Sequence, residues 1–230
     1  MSYISVFLEL LKDRKTFLEE IHTHTRLQTK ISALLVCSFV CFAFYGAIIG
    51  SFSSPQQAIA SALKLPALYL ITLMICVPAL YIFNVLFGST KTIQQHFTYV
   101  LSAAAVIALL LCGFAPVTLF FLITIIPNQD YSFFLLLNVG IFAITGVFGV
   151  SFLYQAMRPD ALETGGNVAL RSKLLRLWLV LYGFVGSQLG WILRPFFSVP
   201  AEPFQIFRPR EGNFMTGVWT AITNLLMGSG

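Results

Sequence analysis

Five stretches of this chain, 31–49, 66–87, 97–126, 131–157 and 174–193, run long and apolar. Only the last carries a charge, Arg176, close to its start. Crossing about 30 Å of hydrocarbon takes roughly 20 apolar residues in a helix. Only structures that satisfy every backbone polar group internally survive there. The expected fold is therefore an all-α integral membrane protein with five transmembrane helices. Composition agrees: 57% of residues are hydrophobic and 10% charged, whereas soluble domains are about a quarter charged. The third and fourth runs exceed the minimum and must tilt, bend or project. Pro78 and Pro116 fall inside runs, where each leaves a carbonyl, that of Met74 or Cys112, without its helical donor. The sequence divides into a cytoplasmic amphipathic helix and linker (1–30), a five-helix transmembrane domain (31–193) and an external connector with an interfacial helix (194–230). The longest internal loop is 158–173, and no repeat or low-complexity tract interrupts the pattern.

Ten of the 14 lysines and arginines fall on the amino-terminal side of this topology. By the positive-inside rule the amino terminus is then cytoplasmic and, with an odd number of spans, the carboxyl terminus is outside. The opening residues place acids and bases directly behind a short apolar run, unlike a cleavable signal sequence. From residue 3 to 21, Ile4, Phe7, Leu8, Leu11, Phe17, Leu18 and Ile21 recur at helical spacing opposite a charged face. That pattern predicts one amphipathic helix lying on the cytoplasmic surface. At the other end, Asn213 is placed to cap a helix over 214–227, too short to be a sixth span. Trp191 and Trp219 suit the aromatic belt.

Between the fifth run and that last helix lies "GWILRPFFSVPAEPFQIFRPREGNF". Its prolines oppose helix, so the chain must cross the surface extended and return its phenylalanines to apolar contacts. Arg194 either snorkels to headgroups or, with Arg208 and Arg210, grips Glu202, Glu211 or backbone carbonyls. The second alternative makes the connector a lid, with Phe196, Phe204, Phe207 and Phe214 pressed into the bundle.

Chemistry is sparse. Apart from Arg176 at its edge, no run contains Asp, Glu, Lys, Arg or His, which removes the usual pointer to a proton or ion path. His22 and His24, two apart, face different sides of a helix and do not suggest a metal site. Cys37, Cys41, Cys76 and Cys112 lie in apolar runs without a CxxC pair. No nucleophile set, paired carboxylates or phosphate loop is present, so no enzyme activity, cofactor, metal or nucleic acid is expected. Small residues are prominent instead: Gly46 with Gly50, and Gly186 with Gly190, form GxxxG pairs that let helices approach in lipid.

The span count, the terminal orientation and "LPALYLITLMICVPALYIFNVLFGS" resemble Yip1-type membrane proteins. The tail "GSQLGWILRPFFSVPAEPFQIFRPREGNF" is similar to a bacterial group of small multi-span proteins. The resemblance implies a bacterial inner-membrane location and brings no catalytic residue. The cytosolic region through which eukaryotic Yip1 proteins contact GTPases has no counterpart here. The resulting expectation is a membrane scaffold or accessory subunit in contact with the lipid bilayer and with other membrane proteins or copies of itself. Its docking and packing residues would be Arg194, Arg208, Arg210, Glu211, Trp191, Trp219, Gly46, Gly50, Gly186 and Gly190. The alternative is a homo-oligomeric pore or small-solute carrier.

Overall fold

A computed structural model describes residues 3–86, 91–125, 131–157, 168–197, 206–207 and 212–227. Among them are eight helices and no strand: α1 (Tyr3–Lys12), α2 (Arg14–His22), α3 (Leu27–Gly50), α4 (Pro55–Leu86), α5 (Ile93–Thr124), α6 (Tyr131–Met157), α7 (Val168–Ile192) and α8 (Phe214–Met227). Helices α3 to α7 are long and apolar enough to cross a membrane, and the chain is a multi-pass, all-α membrane-type protein. The span furthest from its expected bounds is α4. It starts at Pro55, not at residue 66, because Ser54 Oγ accepts from the Gln57 N–H at 3.1 Å and proline fits a first turn. Both Pro66 and Pro78 lie within this one helix, as Pro116 lies within α5. Its 32 residues extend about 48 Å, so its first turns lie at or beyond the edge of the hydrocarbon.

Local capping sets other boundaries. Thr92 and Gln95 form a reciprocal capping box at the start of α5. Asn213 Oδ1 accepts from the Thr216 N–H at 3.0 Å and starts α8 where the sequence expects it. The amino-terminal region departs from expectation. Instead of one helix over 3–21, Asp13 divides α1 from α2, its Oδ1 accepting from the Thr16 N–H at 3.2 Å. The Thr16 hydroxyl, donating to Asp13 Oδ2 at 2.7 Å, and then that N–H hold the Asp13 carboxyl below its ordinary pKa. Nor is α1 a free surface helix: it packs along α3 and buries Val6 and Leu10, while Leu8 and Leu11 are exposed.

In the bundle, α3 packs most extensively on α4 and α5. Helix α6 lies against α5, α7 against α4, and α8 against α6 and α7. The two GxxxG pairs have different roles. A Cβ on Gly46 would collide with the Ser61 carbonyl and one on Gly50 with the Gln57 carbonyl, so this pair brings the α3 and α4 backbones together. At Gly186 and Gly190 the nearest atoms to such a Cβ are 3.8 Å and 3.9 Å away, on Thr72 and Leu68 side chains. That is ordinary van der Waals contact.

Polar side chains fasten the helices from inside. Tyr45 Oη donates to Asn138 Oδ1 at 2.9 Å and lies 3.0 Å from Thr118 Oγ1, linking α3, α6 and α5. Asn138 Nδ2 in turn donates to the Phe134 carbonyl at 2.9 Å. All three residues are buried, and burial without such partners costs several kcal/mol per group in lipid. Trp178 Nε1 joins α7 to α4 through the Cys76 carbonyl at 3.2 Å.

Candidate functional site

The polar chemistry gathers at the two ends of the bundle, where segments that do not span are held by side chains of those that do. On α4, Gln57, Ser61 and Lys64 are spaced four and three apart, which stacks them along one helix face. Gln57 Nε2 donates to the Pro195 carbonyl at 2.6 Å, and Lys64 Nζ donates to the same oxygen at 3.1 Å. Ser61 Oγ donates to the Phe196 carbonyl, and Lys64 also donates to that of Ile206. All three donors are buried. Proline leaves its own stretch of chain unable to form helix, so its carbonyls need donors from elsewhere wherever water is scarce. The α4 side chains supply them.

Side-chain packing adds to this main-chain capture. Pro195 is buried, and Phe196 and Phe197 pack against the core around Phe42, Tyr45, Ile49 and Leu65. The Phe197 ring lies 5.1 Å from that of Phe134 and 5.8 Å from that of Phe52, centroid to centroid. The expected lid is therefore seated by Phe196, joined by Phe197, whereas Phe207 remains 58% exposed with Lys64 Nζ 4.9 Å from its ring centre. Phe214 is half-buried, and Phe204 lies outside the described residues.

The residues singled out by sequence divide into distinct groups. Arg194 stacks its guanidinium 3.7 Å from the Trp191 ring centre. Trp191 Nε1 donates to the Gly212 carbonyl at 3.2 Å, and its ring fills the space where Gly217 would carry a Cβ. Trp191 thus seats the start of α8 and supports Arg194, while Trp219 is 69% exposed. Gly46 and Gly50 press against the same α4 turns that carry Gln57 and Ser61. Gly186 and Gly190 do not form part of this cluster. Arg208, Arg210 and Glu211 lie outside the described residues. Gln57, Ser61 and Lys64 were missed by sequence reasoning, though "SSPQQAIASALK" does contain a Ser-Pro helix start followed by their regular spacing.

At the opposite end, Lys30 on α3 is buried and pairs with Glu20 of α2 at 2.9 Å. It also donates to the Phe17 carbonyl at 3.2 Å and stands 3.9 Å from the centre of the Phe17 ring. Gln95 on α5 donates to the Ile21 and His22 carbonyls at 3.0 Å and 2.9 Å. These belong to the last turn of α2, whose carbonyls lack helical donors. Arg14 lies over the Phe152 ring of α6 at 4.2 Å, so α2 braces three spans. On the other flank of α6, Arg176 donates to Tyr154 Oη at 3.1 Å.

This arrangement can hold and display peptide segments. No family model, no curated protein and no solved structure matches the chain.

Proposed function

We propose that the chain is a non-enzymatic integral membrane scaffold or accessory subunit that packs with other membrane proteins in a larger complex. The observation that carries this reading is how the connector is held. Gln57, Ser61 and Lys64 take its main-chain carbonyls, leaving outward side chains available. Ile206 and Phe207 are 57% and 58% exposed, and α8 exposes Met215 and Trp219. A fixed backbone with displayed apolar side chains suits docking, since little entropy remains to be lost on binding. The lysine and arginine bias supports an orientation with the α2 end on the cytoplasmic side of the membrane. A cavity between α3, α4 and α5, lined by Leu35, Ser38, Phe42 and Tyr69 among others, has a volume of about 10 Å³. That is room for at most about one water.

The test is a photo-crosslinking residue at Ile206 or Trp219 in native membranes, followed by mass measurement. The expected result is a discrete protein adduct that Lys64→Ala abolishes. Crosslinks to lipid alone, together with a strictly monomeric mass in mild detergent, would reject the proposal.

A further inference from the structure

We propose that α1 is a single-leaflet wedge: it enters one leaflet beside α3, and the acyl chains of that leaflet cover its outward face. The placement follows from where α1 meets α3. Cys37 Sγ lies 3.8 Å from the Tyr3 carbonyl oxygen, whereas the Phe17 carbonyl, one helix later, meets Lys30. The chain therefore runs back along α3 in the opposite direction. From Lys30 to Cys37 is seven residues of helix, about 10 Å along the axis. Tyr3 thus sits about that much further into the apolar part of the bundle than the Lys30–Glu20 pair.

The charges of α1 follow the same depth. Residues 3–8 are uncharged, and the first ionisable side chains capable of marking a polar layer, Glu9 and Lys12, come six and nine residues after Tyr3. Six residues return about 9 Å, which brings Glu9 back to the level of Lys30. The apolar portion of α1 and the apolar portion of α3 therefore begin at the same layer. Val6 and Leu10 are buried on the bundle side, while Tyr3 and Leu8 are 51% and 43% exposed. Leu8 shares its side of α1 with Leu11, 53% exposed, and α3 likewise exposes Val36, Phe39 and Val40, the kind of apolar surface a spanning helix presents to lipid. The six uncharged residues 3–8 cover about 9 Å, which fits within one leaflet of the hydrocarbon. Acyl chains are thus the occupant that both these exposed apolar surfaces and the charge register fit.

Nitroxide labels provide the test, in the full chain reconstituted into phosphatidylcholine–phosphatidylglycerol vesicles. The background carries Cys37→Ser, Cys41→Ala, Cys76→Ala and Cys112→Ala, with single labels at Leu8, Val36 or Glu19, and a parallel label at Tyr3 in case the Leu8 variant fails to fold. The ratio of collisions with dissolved oxygen to those with a water-soluble nickel chelate should be high at Leu8 or Tyr3. It should lie within about twofold of that at Val36 and at least tenfold above that at Glu19, following the partition of apolar and charged reagents between lipid and water. A chelate-dominated signal like that of Glu19 would place α1 in water and overturn the proposal. Exclusion of both reagents would mean that protein, not lipid, covers this face, and would overturn it equally.

Discussion

The two ends of the bundle solve the same problem with similar residues and a different balance of charge. At the α2 end, Lys30 takes the Phe17 carbonyl in mid-helix and Gln95 takes the Ile21 and His22 carbonyls of the last turn; at the connector end, Lys64 and Gln57 take carbonyls from a proline-rich segment. A last helical turn and a proline-rich segment both carry acceptors that their own backbone satisfies incompletely. The difference lies in the counter-charge. Lys30 has Glu20 at 2.9 Å, whereas among the described residues Lys64 meets the Pro195 and Ile206 carbonyls and the Phe207 ring, and no carboxylate. The α2 latch thus depends on charge as well as on donors. The connector latch depends chiefly on how many donors reach it.

The largest effect is expected from Lys30→Gln, which leaves Glu20 without its partner. Breaking a buried pair by removing one member costs about 3–5 kcal/mol. Glu20 keeps 30% exposure and can regain water, so the expected loss is nearer 2–3 kcal/mol. Unfolding in mixed micelles measures it; a companion Glu20→Gln change should recover part of the loss. Next comes Gly50→Ala, whose Cβ would drive α4 away exactly where Gln57 holds the connector, at a cost of about 1–3 kcal/mol. Gly190→Ala, facing only the Leu68 side chain at 3.9 Å, should change stability by less than about 0.5 kcal/mol. Equal effects from the two glycines would remove the distinction between the GxxxG pairs. A narrower contrast, between two variants of one residue, separates the latches themselves. Lys64→Gln, which retains donors, should cost less than about 1 kcal/mol, whereas Lys64→Met should cost about 2. Trypsin cleavage after Arg210 should accelerate strongly only in the Met variant.

The spans were legible because lipid imposes a simple rule on sequence: long apolar runs become helices whatever their neighbours. The α8 cap at Asn213 was legible for a local reason, since its bond reaches only three residues along. The latches were not. "PQQAIASALK" is polar enough to pass for a loop by composition, and only the Pro195 and Ile206 carbonyls, more than 100 residues away in sequence, explain why Lys64 is buried. The connector's arginines drew attention because they stand beside its phenylalanines, yet the carbonyls are gripped from α4. Likewise Asp13 serves as a cap inside the polar gap Lys12–Thr16, a gap short enough for the apolar pattern on either side to be read as one helix. GxxxG spacing marks where helices can approach closely, but the partner backbone decides which pair is used.

The most direct measurement of the central claim, that α4 side chains hold the connector by its main chain, is a solid-state NMR distance. The protein is reconstituted with 15Nζ-lysine and 13C-carbonyl proline, and dipolar dephasing is recorded between them. A 3.1 Å Nζ–O contact at Pro195 puts the ammonium about 4 Å from the carbonyl carbon. One proline carbonyl should therefore dephase strongly, and the signal should vanish in Lys64→Met but persist in Lys30→Met. If no proline carbonyl dephases, or if the effect survives Lys64→Met, the connector is not held in this way.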